Sequence, residues 1–117
     1  MATSISHDSH NLIVVGTNEE DMAFAVNKVV ENRGGIVVAD NRGVTGELVL
    51  PIAGIMSEDS LEEVNDALEK AKEAAFGQGV SKGIDPFMTL SFMALPVIPT
   101  LRVTTRGVIY VLSQKYI

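Results

Sequence analysis

Apolar and polar positions along the chain change period several times, and each change marks an element. Leu12 to Val15 is a short unbroken apolar run of β-branched type, which predicts a strand buried on both faces, ended by Gly16. Thr17 with Glu20 three residues on reads as a capping box, and Glu19, Glu20 and Asp21 fill a first turn where the helix dipole favours anions. Met22, Val26, Val29 and Val30 then follow helical spacing as a core stripe, with Phe24 on the opposite face and Gly34-Gly35 closing the helix. Ile36 to Ala39 is a second apolar strand, and Asp40-Asn41-Arg42-Gly43 a turn. Val44 to Leu50 alternates and pairs back as a hairpin that Pro51 ends, since proline cannot donate to a ladder. Ile52 to Met56 reads as a buried connection. Ser60 and Glu63 form the capping box of a second helix, whose narrow apolar stripe is Leu61, Val64, Leu68, Ala71 and Ala75. After the loop glycines Gly77, Gly79 and Gly83, Asp85-Pro86 supplies N-cap and first residue of a short third helix. Its body, Phe87 to Leu95, is apolar almost all round and needs cover from this domain or a partner. Pro96 and Pro99 bracket an extended segment. Leu101 to Val103 and Val108 to Leu112 read as two final strands.

The resulting order is β-α-β-β-α-α-β-β. Hairpins mixed with helices predict an α+β fold: one layered domain over residues 1–117, with a mixed or antiparallel sheet of about five strands, two long helices and one short helix. No internal repeat or linker interrupts it.

Composition narrows the function classes. With 117 residues, 46% hydrophobic and 21% charged, the chain is an ordinary folded domain with a core of its own. The net charge of −6 is concentrated. From Glu58 to Glu73 there are seven acids against two bases, so the acidity belongs to the outer face of the second helix. There is no basic stripe, no Trp and only six Phe and Tyr residues, which argues against a nucleic-acid partner. No apolar run of about 18 residues or more exists, so no membrane span is expected. The N-terminus lacks a signal-peptide pattern, and a cytoplasmic setting is the expectation. Without cysteine there is neither a disulfide nor a thiolate nucleophile or ligand.

Candidate chemistry gathers in His7-Asp8-Ser9-His10-Asn11, which holds both histidines of the chain. Imidazole and carboxylate suit zinc, iron or manganese. Three ligands within four residues rarely converge, however, and no further histidine completes a site. A Ser-His-Asp triad needs a separate orienting carboxylate, and adjacent residues diverge. A local turn with Asp8 and Ser9 bonded to backbone is the simplest reading of these residues alone. Gly16-Thr17-Asn18 lies between a strand and a helix N-terminus but lacks any phosphate-binding fingerprint, and the acids that follow would repel an anion. It reads as a plain turn.

Three stretches together resemble bacterial and archaeal adenine deaminases of the amidohydrolase superfamily. They are His7 to Asn11 running into Leu12-Ile13-Val14-Val15-Gly16, then Leu50-Pro51-Ile52-Ala53-Gly54-Ile55-Met56-Ser57, then Asp85 to Pro99. Thr3-Ser4-Ile5 is similar to the family as well, while Tyr110 to Ile117 matches it poorly. The resemblance is to the family's C-terminal domain only. A metal-binding barrel of about 200 residues or more, with its His-x-His motif, has no counterpart in this chain.

The resemblance implies an excised C-terminal domain rather than a natural stand-alone protein. It also implies a parent reaction in purine salvage or catabolism, in which adenine and water give hypoxanthine and ammonia. The barrel of the same parent chain would be the partner and would hold the metal, expected to be iron or manganese. No cofactor is expected in this chain, and a homo-oligomer is compatible. His7, Asp8 and His10 would contribute to catalysis at the shared site, and Ser9 and Asn11 would bind substrate. The isolated chain would be inactive. Rival readings are a purely structural or oligomerisation domain of the same enzyme, and a stand-alone small-ligand-binding domain.

Overall fold

The computed structural model describes residues 1–6 and 12–117. Its elements are β1 (Ala2–Thr3), β2 (Ile13–Val14), α1 (Glu19–Glu31), β3 (Gly35–Asp40), β4 (Gly43–Val49), α2 (Leu61–Gly77), α3 (Pro86–Phe92), β5 (Leu101–Thr104), β6 (Gly107–Tyr110) and β7 (Lys115–Tyr116). The α+β expectation holds. The strands divide over two antiparallel sheets, one ordered β2-β1-β3-β4 and the other β5-β6-β7.

β3 is the centre of the larger sheet, and its side chains explain the layering. Alternate residues of a strand point to opposite faces. Ile36 and Val38 pack with Leu48, Leu50, Phe87 and the α2 residues Ala71 and Ala75. Val37 and Ala39 pack with Ala2 and the α1 residues Ala25 and Val29. The sheet is therefore covered by α1 on one face and by α2 and α3 on the other. A strand buried on both faces has no polar alternation, which is why 36–39 is an unbroken apolar run.

The pattern predicts the same of Leu12 to Val15, and there it fails. β2 is an edge strand, Ile13 and Val14 are only half-buried, and Val15 is exposed. An apolar run reports affinity for a core, and β3 occupies the central place. The α1 stripe also changes: Ala25 and Val29 are buried, whereas Val30 is 63% exposed. The helix meets the sheet through a narrower arc than its apolar residues cover.

Capping follows side-chain reach. Asn18, not Thr17, caps α1, its Oδ1 accepting from the Asp21 backbone N–H at 2.8 Å. The two boxes are one residue out of phase, and the Asn18 amide also donates to the Asp21 carboxylate at 2.7 Å. The predicted Ser60–Glu63 capping box is present in full at α2. Leu61, expected in the α2 stripe, is 79% exposed because it belongs to the first turn, beyond the sheet.

β4 carries a bulge. Val38 pairs with Gly46 and Ala39 with Val44, leaving Thr45 as the extra residue. Its hydroxyl donates to the Val38 carbonyl at 3.2 Å. At Gly46 a Cβ would stand 2.8 Å from the Cα of Ala71, so α2 approaches β4 nearly backbone to backbone. Small residues on both elements permit that approach.

Candidate functional site

The candidate residues His7, Asp8, Ser9, His10 and Asn11 lie outside the described residues. What the structure defines is where this segment starts and ends. Ala2 pairs with Val14 and Thr3 with Ile13, antiparallel, so residues 4–12 connect two neighbouring strands.

The start is clasped by Ser4. Its hydroxyl donates to the Gly54 carbonyl at 2.6 Å and accepts from the Gly35 N–H at 2.7 Å. The Ser4 backbone N–H donates to the Gly35 carbonyl at 2.9 Å. One side chain thus ties β1 to the first residue of β3 and to the connection after β4. Behind it, the buried Thr3 Oγ1 accepts from the Ile5 N–H at 3.0 Å, and the Ser6 N–H donates to the Ser4 carbonyl at 3.1 Å. Serine near a chain end carries no pattern that marks such a role, so sequence reasoning passes over it.

The connection that receives the Ser4 bond, expected from its composition to be buried, is instead a tight exposed turn. Ile52 and Met56 bridge each other, each N–H donating to the other's carbonyl at 3.1 Å. Ile52, Ile55 and Met56 are exposed, and only Gly54 is buried. The third stretch arrives from the other side. The Asp85 carboxylate caps α3, accepting from the N–H groups of Phe87 at 3.0 Å and Met88 at 2.9 Å. Partial burial pushes the Asp85 carboxyl up, yet the Met88 and Phe87 N–H donors and the nearby Lys72 ammonium together hold it below the usual carboxylate range. Pro86 and Phe87 are buried, α3 touches β2, and Phe87 shares a core with Leu50 against which Ile5 packs. The predicted all-round cover of this segment is incomplete: Met88, Phe92 and Met93 are exposed. The other two family-like stretches, far apart in the chain, therefore approach the two ends of residues 7–11, Gly54 at Ser4 and α3 at β2.

A cleft of about 390 Å³ opens at the opposite end of β1 and β2, lined by Val15, Gly16, Thr17, Asp21, Met22 and Asp40 among others. Two carboxylates on its wall make it a poor anion site, in keeping with the plain turn read at Gly16-Thr17-Asn18. Asp40 is held in its charged form by the side-chain bond from Arg42, which keeps its carboxyl below the usual range. Among the described residues there is no group of three or more His, Cys, Asp or Glu side chains that could hold a metal. The donor set of these residues does not fit an iron or manganese centre.

The chain matches the family model described as the adenine deaminase C-terminal domain over residues 1–115. It belongs to the adenine deaminase C-terminal domain family. Among similar proteins, the adenine deaminase of Bacillus subtilis (strain 168) is 48% identical over 117 residues, the whole of this chain and 20% of the relative. Adenine deaminase of Methylobacterium sp. (strain 4-46) is 50% identical over 109 residues, 93% of this chain and 19% of the relative. Adenine deaminase 1 of Rhizobium meliloti (strain 1021) is 47% identical over the same length. The chain thus spans about a fifth of the curated relatives that it matches. The Bacillus match spans the whole chain, whereas the family model ends at residue 115 and the other two relatives match over 109 residues. No helix of the described residues is long and apolar enough to cross a membrane.

Ser4 lends itself to a direct test. Ser4→Ala removes the acceptor of the Gly35 N–H and the donor to Gly54, leaving partly buried backbone groups short of partners. The expected loss is about 2 kcal/mol, within the usual range for an unsatisfied group. Urea denaturation of the 117-residue chain measures it, and a change below about 0.5 kcal/mol would show that water replaces the clasp.

Proposed function

We propose that this domain works as the C-terminal part of an adenine deaminase and that residues 7–11 complete the purine site. The observation that supports this is the approach of the other two family-like stretches, 50–57 and 85–99, to the two ends of that segment. A serine clasp and a capped helix give the segment fixed roots, and polar groups on fixed roots are suited to recognition.

The reaction replaces the exocyclic amine of adenine by water's oxygen. A C6–O bond forms, the C6–N bond breaks, and ammonia leaves with the protons that the amine acquires. His7, Asp8 and His10 are the groups able to hold or move those protons. Ser9 and Asn11 can donate to and accept from the purine edge. The metal, iron or manganese, belongs to the remainder of the enzyme in this reading, and the setting is cytoplasmic.

Replacing His10 or Asp8 by alanine in the full-length enzyme is expected to lower kcat/KM at least tenfold, about 1.4 kcal/mol of transition-state stabilisation. Near-normal kinetics with an unchanged melting temperature would sink the assignment. The isolated chain is expected neither to release ammonia from adenine nor to retain stoichiometric metal. An ammonia assay with elemental analysis checks both, and turnover by the pure domain would refute the shared site.

A further inference from the structure

The second sheet has one face made of apolar side chains and left uncovered. Leu101 pairs with Tyr110 and Val103 with Val108, so these four side chains point the same way. Ile117 joins them, its N–H donating to the Val108 carbonyl at 2.9 Å. All five are exposed, Val103 by 52% and Ile117 by 82%. The opposite face carries Ile109, which is buried, Arg102 beside it, and the exposed Tyr116 at the edge strand. The sheet is therefore packed at Ile109 on one side and bare across its Val103 side. A contiguous apolar sheet face in water marks a binding surface.

Charge indicates what covers it. Residues 86–117 contain Arg102, Arg106 and Lys115 and no acidic side chain, although the whole chain carries −6. Lys115 lies on the bare face, opposite Tyr110. Two copies joined by this face about a twofold axis would set like charges against each other. A head-to-tail contact with α2 offers charge but little apolar surface, since Leu61 is the only large apolar residue exposed on that helix. The complement is a larger apolar surface rimmed by carboxylates. Relatives carry this domain as about a fifth of one polypeptide, so such a surface would be tethered at high effective concentration.

We infer that the Leu101, Val103, Val108, Tyr110 and Ile117 face of the C-terminal sheet docks on the remaining portion of the adenine deaminase chain. The contact is apolar at its centre, with Lys115 and Arg106 meeting carboxylates at the rim. It anchors the domain on its partner independently of residues 7–11, and it rests on the proposed place of this domain in a longer deaminase.

The test uses this chain alone and a full-length enzyme in which it replaces the matching fifth of the Bacillus subtilis deaminase. Sedimentation of the chain alone between about 10 and 200 µM, concentrations on the scale of ordinary weak association, is expected to show a monomer. A dimer abolished by Val103→Glu would overturn the inference in favour of a second copy. Amide exchange in β5 and β6 is expected to slow at least tenfold in the full-length protein relative to the chain alone. Val103→Glu and, separately, Leu101→Glu are expected to abolish that slowing while leaving the melting temperature of the isolated chain unchanged. Equal exchange in the two proteins would overturn the docking face. Ammonia release by the unsubstituted full-length protein reads the proposed function separately, so an active enzyme with an unprotected sheet refutes only the docking.

Discussion

Gly35→Ala is expected to leave the domain unable to fold. Gly35 opens β3 with φ of +123°, a region that residues with a Cβ rarely enter. A Cβ there would lie 1.9 Å from the Leu48 carbonyl oxygen and 3.0 Å from the Leu50 nitrogen. These are backbone atoms of the paired strand and of the chain just beyond it, so no side chain can swing aside. Relief requires β3 and β4 to part at their Gly35–Val49 pair, and that movement also pulls the Gly35 N–H away from the Ser4 hydroxyl. Backbone strain with a broken strand pair belongs to the few mechanisms that exceed about 4 kcal/mol. That is comparable with the whole stability of a small domain, roughly 5–15 kcal/mol. Circular dichroism and a thermal melt of the purified variant decide it. A cooperative melt within a few degrees of the parent would show that the strand end accommodates a side chain.

The second large effect is expected at Phe87. It is 5% exposed and joins Ile36, Val38, Leu48 and Leu50 of the sheet to Ala71 and Ala75 of α2. Truncation to alanine removes the largest side chain of that cluster and leaves a cavity bordered by strands unable to collapse into it. A loss of about 3–5 kcal/mol is expected, as for other buried aromatic residues. With a urea m-value of about 2 kcal/mol/M, the midpoint falls by roughly 2 M. Phe87→Leu, which keeps most of the volume, should lose much less. Similar midpoints for the alanine and leucine variants would show that α3 is not held by this ring. In a full-length enzyme, loss of α3 from the core should also weaken the support that β2 gives to residues 7–11.

Local chemistry explains what the sequence made legible. The Ser60–Glu63 box, the Asp85-Pro86 start of α3 and the turn before Gly43 each depend on residues within a few positions of one another. All three stand in the structure as the pattern predicts. The family resemblance is legible for a similar reason, since it lies in contiguous stretches. Errors arise where an apolar pattern has to choose among partners. Leu12 to Val15 and Ile36 to Ala39 look alike as apolar runs, but the second lies in the interior of the sheet and is buried, whereas the first is at its edge and is half-buried or exposed. Ile52 to Met56 is as apolar as a core segment and still lies exposed, because Gly54 is held inward by Ser4 while its neighbours turn outward.

The candidate site divides along the same line. By itself the sequence determined that both histidines share one short polar segment, that no thiolate chemistry is available, and that the acidity lies on one helix. These are properties of composition and order, and folding does not alter them. Only the tertiary structure decided that the ends of that segment are joined by an antiparallel strand pair, that Ser4 locks one of them to Gly35 and Gly54, and that α3 packs beside the other. It also decided that the C-terminal sheet buries Ile109 on one face and leaves the other bare. Such facts depend on contacts between residues distant in the chain; Gly35 and Gly54 lie 31 and 50 positions from Ser4. Contacts of that range form only when the chain as a whole has satisfied its burial and hydrogen bonding together, which no local pattern records.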